Sequence, residues 1–308
     1  MKRLLPLIPL LLLALPAECL AQASGNVGYS QSGQGRARAE AMERGKRSIQ
    51  KDDQPPTATA MFVDASVLMN VKADQFVAVF GLLQECATVA ECNQKMDATV
   101  AGFKTGLKGL GISDADVYVD FASQNKIYGY EFAGNVAREK LVGFELKKNV
   151  AIHYRDRDML DRLTVLASQS QIYDLIKVDY VVSDTAAVQS RLMDEAAKVI
   201  EQKTARYQRL LGIRLRPPAQ VYAERPSIYY PTEMYDSYAA YEAEDVEQDE
   251  DTLKQRYTVK NARKSRTFYF NPLDPDGFDT VVNPVVIEPV VQFTLYLKVK
   301  YEVEQPSK

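Results

Sequence analysis

The sequence predicts an α+β fold: a largely antiparallel sheet covered by about three helices, with a long flexible insertion before the last strand. Three observations carry this. From Val290 to Val303, apolar Val291, Phe293, Leu295, Leu297, Val299, Tyr301 and Val303 alternate with Gln292, Thr294, Tyr296, Lys298, Lys300 and Glu302, the period-two pattern of a half-buried strand. Upstream, the patterns run strand, strand, helix, strand, strand, helix, strand, helix, and this strand closes the series, which is not the alternation of a doubly wound parallel sheet. Between the two lies a charged, Tyr-rich stretch, residues 223–283, whose charges are costly to bury. At roughly 3.3 Å per residue the last strand reaches about 45 Å, so other strands pair along it and helices cover its apolar face.

The chain opens with Lys2 and Arg3, then an apolar run from Leu4 to Leu15 broken only by Pro6 and Pro9. With Ala21-Gln22-Ala23 behind it, this reads as a signal peptide over residues 1–23, cleaved after Ala21 or Ala23. The run is short for the alternative, an uncleaved anchor, and Glu18 sits where a lipobox at Cys19 wants a small residue. The expected location is the periplasm, with outer-membrane association as a variant and no transmembrane span in the mature protein. Cleavage removes Cys19 and leaves Cys86 and Cys92 as a disulfide candidate in an oxidising compartment; two buried free thiols are the other reading. Residues 24–59 carry almost no large apolar side chain and read as a disordered arm. Its cluster of Arg36, Arg38, Arg44, Lys46 and Arg47 is taken as solvated rather than as a contact with an anionic envelope surface. Over the whole chain 38 Lys and Arg against 41 Asp and Glu give a net charge of -3, which does not suit a nucleic-acid binder.

Order begins near Met61, where Val63, Ala65, Val67, Met69 and Val71 alternate with smaller or polar residues, and a turn at Lys72 to Asp74 leads to Phe76 to Leu83. Two strands with so short a connection are expected to form a hairpin. Thr88-Val89-Ala90-Glu91 fits a capping box, followed by a helix with Met96, Val100, Phe103 and Leu107 at helical spacing and Gly111 as its left-handed cap. Cys86 then precedes the cap and Cys92 falls in the first turn, so a bridge would clip the strand exit to the helix start. Val117 to Phe121 and Ile127 to Phe132 read as short strands or one interrupted strand, Gly134 to Lys140 as a polar connector, and Phe144 to Ile152 as the next strand. Asp156 is placed to cap a helix carrying Met159, Leu160, Leu163 and Leu166. After a strand over Tyr173 to Val182, Ser183-Asp184-Thr185 caps the longest helix, Ala186 to Leu211, with Leu192, Ala196, Val199, Thr204, Tyr207 and Leu211 as its buried stripe and Gly212 at its end.

Several of these segments together resemble the SIMPL domain family (DUF541) of bacterial exported proteins. They are Glu85-Cys86-Ala87-Thr88-Val89-Ala90, Gly109-Leu110-Gly111-Ile112, Asp116-Val117, Asn149 to Asp156, Val181-Val182-Ser183-Asp184, Leu210-Leu211-Gly212-Ile213 and the final Pro289 to Val303 strand. The resemblance covers roughly 61–222 and 284–304, so the expected core is residues 60–222 completed by 284–304. Two departures stand out: the first strand, Asp64-Ala65-Ser66-Val67-Leu68, lacks the family's glycines, and the path to the last strand is long. The resemblance implies an envelope protein with no recognised catalytic site, some relatives being linked to oxidative-stress tolerance and some assembling into hollow oligomers.

Little enzymology fits. His153 is the single histidine, so no triad or multi-His metal site can form, and its strand position suits a partly buried hydrogen-bonded side chain. Gly102, Gly106, Gly109 and Gly111 match no phosphate-loop or dinucleotide fingerprint. Asp156 and Asp158 alternate with Arg155 and Arg157, where capping is the simpler account than acid–base work. The seven acids from Glu242 to Asp251 lack EF-hand spacing, and a basic run from Lys254 to Arg266 follows them. No catalytic, cofactor-binding or metal-ligating residue is expected. Tyr229, Tyr230, Tyr235, Tyr238 and Tyr241 are the candidate interaction surface. The reading is a non-enzymatic exported protein acting through self-assembly or an envelope protein partner, the contact falling on the final strand or its flanks; the alternative is a binder of a small ligand or peptide in a cleft between sheet and helices.

Overall fold

A computed structural model describes residues 59–133, 136–239 and 266–304. Its elements are β1 (Ala60–Val71), β2 (Gln75–Cys86), α1 (Val89–Gly109), β3 (Val117–Ala133), β4 (Val136–Tyr154), α2 (Met159–Gln169), β5 (Asp174–Val181), α3 (Thr185–Leu211), β6 (Leu215–Tyr229), β7 (Tyr235–Ala239), β8 (Arg266–Phe270), β9 (Thr280–Val282) and β10 (Val291–Val303). From β1 to α3 this is the order the sequence predicts, β6 being an added strand where the final one was expected next, and the class is α+β with three α-helices among the described residues. Two four-stranded sheets form, in the orders β6-β10-β1-β9 and β3-β4-β2-β5, beside a β7-β8 ribbon. Among the described residues only the β1 to β9 pairing is parallel.

The helix ends follow local chemistry. The Thr88 hydroxyl accepts the Glu91 amide at the start of α1, and Gly111 takes φ 84° while the Ile112 amide returns to the Leu107 carbonyl. Asp184 caps α3 by accepting the Ala187 amide, and Gly212 ends it in the left-handed region. The cap expected at Asp156 is displaced: α2 starts after Asp158, and the Asp156 carboxylate instead accepts the Asp158 amide in a turn ahead of the helix. On α3 the buried stripe is Leu192, Ala196, Val199 and Ile200; Leu211, expected inside, is 57% exposed because the helix has outrun its sheet.

Each sheet has its own core. Helices α1 and α2 lay Met96, Phe103, Leu107 and Leu163 on Phe80, Leu82, Leu146, Val150 and Ile152. Helix α3 lays its stripe on Val63, Ala65, Val67 and Met69 of β1 and on Phe293, Leu295, Leu297 and Val299 of β10. The expected β1–β2 hairpin does not form: β1 pairs with β10 and β9, while β2 pairs with β4 and β5. Lys72, Ala73 and Asp74 contain neither Gly nor Asn for the positive φ of a two-residue hairpin turn. The connector instead carries the chain from one sheet to the other, held by Asp74, which accepts the Ser183 amide and hydroxyl.

Three further expectations are corrected. Gly134 to Lys140 is not simply a connector, since β4 begins at Val136 and pairs with β3 from Ala133 downward. The last strand is not half-buried: Val291 to Val299 are buried on both faces, Lys298 being 4% exposed. β1 and β6 pair along it on either side from Gln292 to Glu302, so the strand expected to carry the self-contact has no free edge over that length. Its second face is covered by the segment read as an insertion. β6 takes residues up to Tyr229 into the sheet and β9 returns at Thr280, while Tyr229, Met234, Phe270 and Leu273 make a small apolar cluster and Gln292 accepts the Leu273 amide.

Candidate interaction arm and junction cleft

The pairing of β2 with β4 stops at Cys86 opposite Phe144, whereas β3 and β4 continue together to Ala133 opposite Val136. Residues 127–133 and 136–143 therefore form a two-stranded arm beyond the sheet. Gly143 marks the point of departure, where a Cβ would stand 2.8 Å from the Cys86 carbonyl oxygen. Register and period two sort the arm into faces. Tyr128 opposite Leu141, Tyr130 opposite Glu139 and Phe132 opposite Ala137 share one face, with Tyr130 67% and Phe132 75% exposed. On the other, Glu131 lies opposite Arg138 and pairs with Lys140 at 3.3 Å. A contiguous exposed aromatic face rimmed by charge is the usual mark of an interaction surface. Sequence inspection missed it because the same alternation suits a strand inside a sheet; the overlooked signal was the polar run Ala137-Arg138-Glu139-Lys140 opposite the aromatics.

The sequence-derived tyrosines are scattered. Tyr229 is fully buried, so it serves packing and not a surface; as the last residue of β6 it points into the face covered by Met234 and Leu273. Tyr230 is 43% exposed. Tyr235 stacks edge-on against Phe270 and shares a hydrogen bond with Tyr180, whose hydroxyl is pushed well above its ordinary range, first by burial and then by Tyr235. Tyr238 pairs with Thr267 in the β7–β8 ribbon, and Tyr241 lies outside the described residues, as do the signal peptide, nearly all of the 24–59 arm, the acidic run and most of the basic run.

Cys86 and Cys92 stand as two thiols in contact, at the strand exit and the first helical turn as expected. Cys92 points its Sγ at the Gln84 and Phe144 carbonyls, and burial, then Cys86, raises its pKa to about 11. His153 is held on both sides, Nδ1 at 2.8 Å from Asp116 and Nε2 at 2.9 Å from Gln75; the His153 contact, then Ser113, keeps the Asp116 carboxyl below its usual range.

Where the two sheets meet, a cleft of about 590 Å³ opens between Lys72 and Ala73 of the connector, Phe76, Tyr154, Val178 and Tyr180 of the second sheet, the start of α2, and Glu288 ahead of β10. Phe76 stacks on Tyr154 at 5.4 Å and meets Tyr180 edge-on at 5.5 Å. Glu288 joins Lys72 at 2.6 Å and also binds Arg157, which holds its carboxyl low. No group of three or more His, Cys, Asp or Glu side chains suited to a metal ion occurs among the described residues, and no described helix is long and apolar enough to cross a membrane.

The SIMPL family, described as protein of unknown function (DUF541), matches residues 61–260. That span takes in part of the segment read as an insertion and stops short of β10. No curated protein matches the chain.

Proposed function

Because the chain belongs to the SIMPL (DUF541) family, we propose that it is a non-enzymatic cell-envelope protein that is exported to the periplasm and acts by assembling with further copies of itself through the free edge of β3 and the β3–β4 arm that continues it. The observation that carries this is the arm's exposed aromatic face, with Tyr128, Tyr130 and Phe132 held out from the sheet. The occupant is a second copy. β3 is an edge strand that pairs only with β4 among the described residues, and an unpaired edge is a template for another strand. If two β3 edges pair antiparallel about a two-fold at Ser123, Asp120 of each copy meets Lys126 of the other and Tyr118 meets Tyr128, so the edge complements itself in charge. Isologous contacts of this kind close an assembly instead of propagating it. The role in envelope or oxidative-stress tolerance that the family resemblance implies belongs to the same proposal.

Native mass spectrometry and light scattering test the assembly, and cell fractionation tests the location. The wild type should be oligomeric at micromolar concentration, Asp120→Lys or Lys126→Asp should dissociate it, and the double exchange should restore it. A strictly monomeric wild type overturns self-assembly; an oligomer indifferent to both single variants overturns the β3 contact; recovery with cytoplasmic markers overturns export.

A further inference from the structure

The junction cleft holds a polar group that the fold leaves unanswered. Tyr154, the last residue of β4, is 4% exposed, lines the cavity, and its hydroxyl has no hydrogen-bond partner among the described residues. Burial pushes its pKa up to about 12, so it is a proton donor at any physiological pH. It lines the open cavity as a donor with no acceptor from the described residues, so an acceptor entering there can meet it. Directly after it the chain bends, which brings Arg155 to the same cavity. The other two cations are already answered, Lys72 and Arg157 both being tied to Glu288. Arg155 makes no hydrogen bond or ion pair among the described residues, and its charge is felt only through space at Asp74.

We propose that the junction cleft binds a small molecule with one carboxylate on an aromatic body, the carboxylate taken by the Arg155 guanidinium and the Tyr154 hydroxyl and the ring by Phe76, Tyr180 and Val178. A single negative charge fits better than a polyanion. The lining carries Lys72, Arg155 and Arg157 against Asp158, Asp161 and Glu288, so its charges balance and just one guanidinium is unspent. A planar carboxylate matches the fork of an arginine, and a hydroxyl donor beside it fixes the carboxylate's orientation. The cavity volume is within the range of small-molecule sites, and Phe76, Val178 and Tyr180 supply apolar surface in a lining that is otherwise largely charged. The site is independent of the β3–β4 arm, so it stands or falls apart from self-assembly.

The chain contains no tryptophan, which makes indole-3-acetate a clean fluorescent probe. Titrated with the protein, its emission should change in a saturable way, and the neutral indole-3-acetamide should bind at least tenfold more weakly. Arg155→Ala and Tyr154→Phe should each weaken the acid by about tenfold, with little effect on the amide. Tyr154→Phe keeps the ring stack, and far-UV circular dichroism confirms that each variant is folded. Equal binding of acid and amide overturns the carboxylate assignment. No saturable binding up to millimolar indole-3-acetate, or affinity unchanged in both folded variants, overturns the site.

Discussion

A single carboxylate, Asp279, shows how one residue fastens distant parts of this chain. It accepts the Ser66 amide at 2.9 Å and the Ser66 hydroxyl at 3.2 Å, and pairs with Lys203 of α3 at 2.7 Å. Burial works to raise its pKa, but Lys203 and the Ser66 amide outweigh it, so the carboxyl lies below its ordinary value. A carboxyl depressed in the folded state stabilises the fold above its unfolded pKa of about 3.9, and that contribution is lost as pH falls through the lower folded value. Asp279→Asn should therefore destabilise by about 1–3 kcal/mol at neutral pH. The gap from wild type should be flat above about pH 5 and narrow below pH 4, as urea melts across pH will show. At the same scale, export to an oxidising compartment, as proposed, should join Cys86 to Cys92, and alkylation without reduction, read by mass spectrometry, should leave both unlabelled; full labelling refutes the bridge. So short a loop should add no more than about 2–3 kcal/mol.

Among the elements, helices declared themselves and strand partners did not. Thr88, Asp184, Gly111 and Gly212 act within a turn of where they stand, so their side chains and φ preferences mark helix ends locally. The period of a strand, by contrast, tells which residues share a face and says nothing of its neighbour. For that reason β1 and β2 read as a hairpin, although β10, far along the chain, is the partner of β1. The arm was illegible for a related reason: Tyr128, Tyr130 and Phe132 have the pattern of strand residues facing a core, and only the end of β2 at Cys86 leaves them uncovered. Gly143 permits that departure. Gly143→Val places a side chain against the Cys86 carbonyl and should cost about 1–3 kcal/mol, with the loss visible in thermal melts; a variant as stable as wild type would show that the ribbon bends freely there.

For the whole molecule, β10 is the strand on which one half depends. It is paired on both sides and buried on both faces over most of its length, with α3 on one face and the Tyr229, Met234 and Leu273 cover on the other. Leu297→Pro removes a ladder donor between Ala65 and Glu224, a penalty of roughly 3 kcal/mol or more at an interior position. The variant should lose the first sheet, seen as collapse of the β signal in circular dichroism and rapid proteolysis of α3. A cooperative melt close to wild type would mean that the first sheet does not depend on β10.

By itself the sequence determined the fold class, the order from β1 to α3, the caps of α1 and α3 and the family, because these rest on short-range rules: periodicity, capping and turn chemistry act over a few residues. Tertiary structure alone decided that there are two sheets, that β10 is interior, and that Tyr229 packs inside while Tyr130 faces outward. It alone brought Tyr154 and Arg155 to one cleft with Glu288. Burial and strand pairing are properties of what arrives from elsewhere in the chain, and a pattern along one strand does not encode the element that covers it.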